Sequence, residues 1–476
     1  MSILNQVIGT IVISTLSFNL GLVFTWPSGT INMFMSNDTK LDRPITESEM
    51  NLLGSLSSLA PLISTPVLAY LMDAVGRKHT AVASFIVPVI TWVLIATMNK
   101  VEVILTAMFI GGLGGGALVV VPVYIGEICQ ESIRGTMAAC TIILYSIGMM
   151  VSYIMAGLEY EIVIYSNLSM AVLGVISAVV VLKESPIYLM KKDRQQEAVK
   201  TIAYYRKTSL NSKEVLLELE SLKRILSPET ELQTLSPEQE KLNQEHEIKP
   251  KKKESVWQHF KKSPSTRRGL FVSTVIILSI FQGLPALQVY AEPVFTKATP
   301  NISTKLGTVL MALVTVIFGV LAGFLSDILG RKPLMTYASM VLGVTCILLG
   351  IQLQIQWAPQ WVTMCLLFLY AISFTFGAGT VPYVLISEIF LPEVSSIMSM
   401  IIIEIGWVVT FLVVFIYQPC EIYLGTGLVF YLFAAFGFAL GVFSIFFLPE
   451  TKGLTVDAIQ LLLVRGGKKN VRNNSF

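Results

Sequence analysis

The chain has 476 residues, of which 54% are hydrophobic and only 14% are charged, and its mean hydropathy is +0.69. Ordinary soluble domains carry about 25% charged residues, so this composition excludes a soluble globular protein and indicates an integral membrane protein. The formal net charge of +3 gives no sign of a nucleic-acid partner. The five cysteines show no metal-ligand spacing, so we predict no disulfide framework, no metal site and no cofactor.

Apolar segments long enough to cross a bilayer recur along the whole chain. A spanning helix needs about 20 mostly apolar residues, and the sequence predicts such spans beginning near residues 7, 50, 80, 102, 135, 162, 270, 304, 334, 361, 396 and 426. The first apolar run has no basic start and no cleavage pattern, so we interpret it as a span and not as a signal peptide. The predicted fold class is all-α, with twelve membrane helices in two six-helix bundles.

Lysine and arginine are concentrated between the sixth and seventh predicted spans. Residues 183 to 268 hold 19 of the chain's 34 basic residues. Because basic loops stay on the cytoplasmic side of a membrane, we predict that this segment and both termini are cytoplasmic. Two glycosylation sequons, at Asn37 and Asn301, fall in loops on the opposite side. The chain is therefore predicted to be a multi-pass protein of the plasma membrane, glycosylated at these two asparagines.

The polar segment divides the chain into four predicted parts. These are an N-terminal bundle (1–182), a cytoplasmic linker with short helices (183–269), a C-terminal bundle (270–448) and a cytoplasmic tail (449–476). Between 183 and 226, apolar residues at helical spacing lie among charges, which predicts amphipathic helices. Residues 227–253 are rich in Glu, Gln, Pro and Lys and are predicted to be flexible.

Charged landmarks of the first half recur in the second half in the same order. The pattern D-x-x-G-R-K stands at 73–78 and again at 327–332, and Glu127 and Glu184 have counterparts in Glu388 and Glu450. Three matches in one order indicate a duplicated six-span unit. Two such halves joined by a cytoplasmic linker are a transporter architecture, with the substrate bound midway between the halves.

The seventh apolar span is interrupted in its second half by polar and helix-breaking residues. These are Gln282, Gly283, Pro285 and Gln288. Irregular backbone at membrane depth is tolerated only where protein or a water-filled cavity satisfies its amide groups. We therefore predict that this segment contributes to the substrate site.

Taken together, these motifs resemble those of the sugar porter family of the major facilitator superfamily. Besides the repeated D-x-x-G-R-K pattern, the chain carries P-x-Y-x-x-E at 122–127, E-S-P at 184–186 and P-E-T-K-G at 449–453. Within the family, W-P-S at 26–28 is most similar to the insect trehalose and glucose facilitators. The resemblance covers nearly the whole chain.

The resemblance implies a gating network of charges at the cytoplasmic ends of the spans. Its members would pair across the two halves when the inner side is closed and separate when it opens. They are Asp73, Arg77, Glu127, Arg134, Glu184, Asp327, Arg331, Glu388 and Glu450. Alternatively, these charges only anchor the span ends at the interface, but the duplicated pattern favours a network. Ser395 stands where the family carries the arginine that would answer Glu388.

The resemblance also implies a sugar site between the halves. Amide groups donate and accept hydrogen bonds with sugar hydroxyls, and aromatic rings cover the apolar face of a pyranose. The corresponding positions here hold Gln282 and Gln288 in the seventh span, Tyr383 in the tenth and Trp407 in the eleventh. Ordinary packing between spans is the alternative interpretation of each.

Two carboxylates occur where hydrocarbon makes a charge costly. Glu404 lies deep in the eleventh span and Glu292 lies at the end of the seventh. Either residue could bind a proton or a substrate, and either could instead be exposed to water or neutral.

The predicted function is facilitative uniport of a sugar, a hexose such as glucose or trehalose, by alternating access. The first span has no carboxylate of the kind that proton-coupled relatives carry, and no phosphate-binding loop indicates ATP-driven transport. The alternatives are a proton-coupled sugar symporter, a sugar sensor that retains the fold without transporting, and a carrier of a non-sugar solute. We predict no enzyme activity, a sugar and the lipid bilayer as partners, and function as a monomer.

Overall fold

The computed structural model describes residues 3–226, 260–454 and 456–465. Across these ranges the secondary structure is helical, and no strand occurs in them. Twelve helical segments there are long and apolar enough to cross a membrane, which confirms the predicted all-α fold. In chain order, spans 1 to 6 are Leu4–Met35, Glu47–Ala74, Arg77–Thr97, Val101–Ile128, Ser132–Met155 and Tyr160–Val181. Spans 7 to 12 are Pro264–Val289, Thr304–Leu329, Arg331–Ile355, Gln360–Ile389, Ile397–Leu424 and Thr426–Phe447.

Three short helices follow span 6, where the sequence predicts amphipathic helices. They are Pro186–Lys191, Gln195–Arg206 and Lys213–Leu226. Their apolar side chains form a small core of their own around Ile202, Val215 and Leu219. The predicted flexible linker, residues 227–253, lies outside the described residues.

Both ends of the described chain lie at the same end of the bundle as these short helices. Asn5 Nδ2, at the start of span 1, donates to the carbonyl of Tyr204 at 2.6 Å. The C-terminal helix Val456–Arg465 packs against the start of span 7, where Arg268 Nη1 donates to the carbonyl of Leu463 at 2.8 Å. We call this end of the bundle the termini side and the opposite end the distal side.

The turn between spans 2 and 3 and the turn between spans 8 and 9 have the same structure. Gly76 and Gly330 have φ angles of +114° and +94°, in a region of backbone conformation that residues other than glycine rarely adopt. A Cβ atom at either glycine would also clash with a carboxylate, that of Glu184 or that of Glu450. The structural repetition agrees with the repeat predicted from the charged motifs.

Candidate functional site

Span 7 is broken at the position that its sequence indicates. The α-helix runs from Pro264 to Ile277, continues as a 3-10 turn over Leu278–Gln282, and restarts as the short helix Leu284–Val289. Gly283 between them has a φ of +95°, and Pro285 has no N–H to continue the helical ladder. A second helix, Ala291–Ala298, follows on the distal side. The break lets the distal part of the span turn toward the opposite half.

Gln282 is fully buried at this break. Its Nε2 donates to Ser339 Oγ in span 9 at 3.1 Å, and its main-chain carbonyl accepts from the Tyr370 hydroxyl of span 10 at 2.7 Å. Its side-chain oxygen has no hydrogen-bond partner among the described residues. In this conformation the amide is therefore held by the C-terminal half, with one acceptor still available.

Gln288 lies at the contact between the two halves. Its main-chain carbonyl accepts a hydrogen bond from the Tyr153 hydroxyl of span 5 at 2.6 Å. The Gln288 side chain is only partly buried. The main chain of Gln288 thus connects the broken span to the N-terminal half, and this contact does not use its side chain.

Tyr383 and Trp407 both face the N-terminal half. The Tyr383 side chain is half exposed and lies near Tyr145 of span 5. Trp407 is buried and packs against Phe24 of span 1, with 6.0 Å between ring centroids. Of the two aromatic rings, Tyr383 has the more accessible face and Trp407 the more enclosed one.

An apolar cluster of both halves surrounds Trp407. Leu20 and Phe24 contribute from span 1, and Tyr145 contributes from span 5. Ile403 lies one turn before Trp407 on span 11. Residues of the two halves therefore pack against each other around the tryptophan.

The side-chain hydrogen bonds that join the two halves all lie on the distal side, within the described part of the chain. Besides Tyr153 and Gln288, they link span 1 to Glu292: the Glu292 N–H donates to Ser28 Oγ at 2.9 Å, and Asn32 Nδ2 donates to Glu292 Oε1 at 3.4 Å. The distal side of the molecule is therefore closed in this conformation.

In the N-terminal half, the charged residues of the predicted network form a cluster around Arg77. This arginine is buried and contacts Glu127 at 2.9 Å and Asp73 at 3.0 Å. Glu184 accepts from the Arg77 main-chain N–H at 2.7 Å, which places a negative charge at the N-terminus of span 3. Three chain segments are tied together by this one arginine.

The C-terminal half repeats the arrangement around Arg331. Arg331 Nη2 lies 2.6 Å from Glu388 and 2.9 Å from Asp327. Glu450 accepts from the Arg331 main-chain N–H at 3.0 Å. Glu388 thus has a cationic partner even though Ser395 replaces the family's arginine.

Arg134 is the member of the predicted network that stands apart. Its side chain is exposed, and no carboxylate of the described residues lies within ion-pair distance of it. On the termini side, the described ion pairs connect residues of the same half. The network here consists of two separate clusters, as expected when the termini side is not closed.

Glu404 lies in span 11 one turn before Trp407. Its Oε1 atom is buried and has no hydrogen-bond partner among the described residues. Glu421, nearer the distal end of the same span, is also buried, but it pairs with Lys297 at 2.9 Å and accepts from Thr426 at 3.0 Å. Glu404 is therefore a carboxyl group without the compensation that Glu421 has.

We expect Glu404→Leu to raise the melting temperature of the purified protein. A buried polar group without a partner costs about 1–3 kcal/mol of stability. The substitution removes this cost. Glu421→Leu is the matched control, and it should lower the melting temperature because it leaves Lys297 unpaired. A lower melting temperature for Glu404→Leu would mean that the carboxyl group is compensated in the membrane. Uptake is measured on the same variant. Loss of uptake would show that the carboxyl group is needed for transport, and unchanged uptake would show that it is not.

The two predicted glycosylation sites lie on the distal side. Asn37 is exposed in the loop after span 1, and Asn301 is exposed in the turn before span 8. Glycosylation at either asparagine remains a prediction, but both are accessible.

The N-terminal partners of the broken span could not be predicted from the sequence. Ser28, Asn32 and Tyr153 contact it in the structure. The W-P-S motif at 26–28 was the one signal near them. Tyr153 had none, because a tyrosine in a span is common and its partner is a main-chain carbonyl more than a hundred residues away.

Comparison with known proteins identifies the family of this chain. The sequence profile described as "Sugar (and other) transporter" matches residues 12–463. The chain belongs to this family. It is a multi-pass membrane transporter of this family and not an enzyme.

Relatives in this family match along most of their length. The facilitated trehalose transporter Tret1 of Bombyx mori is 26% identical over 483 residues, which cover 99% of this chain and 89% of the relative. Sugar transporter ERD6-like 16 of Arabidopsis thaliana is 26% identical over 441 residues, covering 89% and 84%.

Solved structures share the fold. The inward-open conformation of the xylose transporter XylE from E. coli has a TM-score of 0.74 at 19% identity, covering 95% of this chain and 98% of that one. A D-xylose-proton symporter structure has a TM-score of 0.69 at 20% identity, covering 95% and 100%. The likeness establishes the twelve-span major facilitator fold predicted from the sequence.

Proposed function

We propose that this sugar transporter is a facilitative uniporter for a hexose or for trehalose, located in the plasma membrane with both termini in the cytoplasm. The observation that carries the proposal is the broken span 7, with its available amide acceptor at Gln282. It lies between two halves whose described side-chain hydrogen bonds to each other are on the distal side. The curated relatives named facilitated trehalose transporters favour the same substrate class.

In alternating access, the distal side and the termini side open one at a time. In the observed conformation the distal side is closed by span 7 against span 1, and on the termini side each charge cluster stays within its own half. Closing the termini side would bring the exposed Arg134 toward the C-terminal half, where Glu388 carries the complementary charge. Exposed ion pairs contribute about 0–1 kcal/mol each, so substrate binding can shift an equilibrium of this kind.

Sugar recognition is assigned to the space that Tyr383 and Trp407 border. The half-exposed Tyr383 ring offers an apolar face, and the Gln288 side chain offers both a donor and an acceptor. Gln282 takes part when its amide leaves Ser339 or when its unpartnered oxygen accepts a sugar hydroxyl. These roles follow the positions that the family resemblance implies.

Uniport is tested by sugar uptake into proteoliposomes in the presence of a proton uncoupler. Span 1 contains no ionisable residue: its polar groups near the site are Asn19 and Thr25, which hydrogen-bond to main-chain carbonyls of their own helix. We therefore expect the uncoupler to leave uptake unchanged. Strong inhibition would reject uniport in favour of proton coupling.

Substrate identity is tested with a panel of labelled hexoses, trehalose and an organic acid in a transport-deficient cell. We expect saturable uptake of at least one sugar and none of the acid, because Lys and Arg are absent from the middle of the described spans. Absence of any sugar uptake, with the protein present at the surface, would favour the sensor alternative. Ser395, which stands where the family carries an arginine, is the observation behind that alternative.

A further inference from the structure

One residue, Glu292, makes most of the hydrogen bonds across the closed distal side. Two of the three side-chain hydrogen bonds that join the halves within the described residues involve Glu292, through its N–H to Ser28 and through Oε1 to Asn32. Its second oxygen, Oε2, lies beside Gly29 of span 1. A Cβ atom added at Gly29 would be 3.9 Å from this oxygen. Both carboxyl oxygens therefore face span 1.

Span 1 offers this carboxyl group no positive charge. The helix Leu4–Met35 contains no Lys, Arg, His, Asp or Glu. The nearby cations are directed elsewhere: Lys297 pairs with Glu421 at 2.9 Å, and the Lys305 side chain lies beside Gly157. Among the described residues, the Asn32 amide is the one side chain that hydrogen-bonds the Glu292 carboxyl group.

We propose that Glu292 is a proton-responsive latch: acidification on the distal side holds the distal gate closed and slows uptake. Separating span 7 from span 1 would transfer the half-buried Glu292 carboxyl group into water. A carboxylate gains more hydration from that transfer than a neutral carboxyl group does. Deprotonation therefore favours opening of the gate, and protonation favours the closed conformation. The latch relies on the alternating-access part of the proposed function but on no particular sugar.

The direction of the pKa shift agrees with this geometry. Burial raises the pKa of Glu292 above its ordinary value, and the Asn32 hydrogen bond opposes that rise. A group with a raised pKa in the closed state stabilises that state fully below its ordinary value, about 4.3 for glutamate. The stabilisation is lost as the pH rises through the raised value.

The test is initial sugar uptake into proteoliposomes as the outside pH is varied from about 4 to about 7.5 around the titration range of a carboxyl group, with the inside pH constant. For the unmodified protein we expect uptake to fall as the outside is acidified. Glu292→Gln should give a flat profile at the low, acid-like rate. Glu161→Gln, which changes a distal glutamate that pairs with Lys40 away from the gate, should keep the original profile. An unaltered pH dependence in Glu292→Gln would overturn the proposal.

Asn32→Ala separates a latch from a merely structural contact. The Asn32 hydrogen bond stabilises the charged carboxylate, so its removal should move the midpoint of the pH profile upward. A contact important only for folding would lower uptake at every pH without moving the midpoint, and that result would contradict the latch.

A conformational measurement distinguishes failure of the latch from failure of the proposed function. Spin labels at Asn37→Cys and Asn301→Cys, in a background with the five native cysteines replaced, report the distance between distal loops of the two halves. We expect acidification to favour the short distance, and Glu292→Gln to show it at every pH. This outcome would support the latch even if no tested sugar were transported. A distance distribution independent of pH would overturn it even if sugar uptake were normal.

Discussion

Gln282→Ala is expected to reduce sugar uptake at least tenfold while leaving the amount of protein at the cell surface unchanged. The substitution removes a fully buried amide with one acceptor still available. A net hydrogen bond contributes about 0.5–1.5 kcal/mol, and a buried group left unsatisfied costs about 1–3 kcal/mol. Loss of substrate contacts to the available oxygen, and to the nitrogen once it leaves Ser339, is therefore enough for the expected effect. Labelled-sugar uptake with surface biotinylation measures both quantities.

Ser339→Ala is the matched control for this experiment. In the structure Ser339 accepts the Gln282 amide at 3.1 Å, so this variant removes the internal partner and leaves the glutamine. If Gln282 binds substrate, Ser339→Ala should retain most of the uptake. Equal losses in both variants, together with lower melting temperatures, would assign Gln282 to packing between spans 7 and 9. Unchanged uptake in Gln282→Ala would remove the residue from the site.

Arg77→Ala is expected to destabilise the protein by about 3–5 kcal/mol, the usual cost of leaving a buried charge without its partner. The Arg77 and Glu127 side chains are only 6% and 12% exposed, so water compensates the remaining carboxylate poorly. Asp73 is 72% exposed, so Asp73→Ala should cost less than about 1 kcal/mol. Thermal unfolding of the purified variants measures the difference.

The equivalent substitution in the C-terminal half should be milder. Arg331 has a partner, Glu388, that is 25% exposed and also accepts a hydrogen bond from Thr451 at 2.6 Å. After Arg331→Ala, Glu388 retains that hydrogen bond and some contact with water. Equal destabilisation by Arg77→Ala and Arg331→Ala would show that burial of the carboxylate does not control the cost.

Much of the site region could be predicted from the sequence because its signals are local. Pro285 and Gly283 disrupt a helix wherever they stand, so the break in span 7 was visible in the sequence, and the structure places it there. The glycine of each D-x-x-G-R-K turn likewise has the backbone conformation that its sequence indicates. The side-chain roles assigned to Gln282, Gln288, Tyr383 and Trp407 remain predictions.

The partners of these side chains could not be predicted in the same way. Nothing near Gln282 in the sequence indicates that its amide is held by Ser339, and nothing near Glu388 indicates that Arg331 compensates for Ser395. Such contacts depend on the rotation and depth of each helix. Apolar periodicity does not specify either, since lipid and protein interiors are similarly apolar.

The sequence by itself determined that this chain crosses a membrane twelve times, that its halves repeat, and that its seventh span is broken. Those properties follow from the bilayer, which sets the length of a span and requires every backbone amide to be satisfied. Only the tertiary structure decided which side is closed and which residues close it. Glu292 donates its main-chain N–H to Ser28 and accepts from Asn32 through its carboxyl group, because the packing of two halves brings together residues that no local pattern connects.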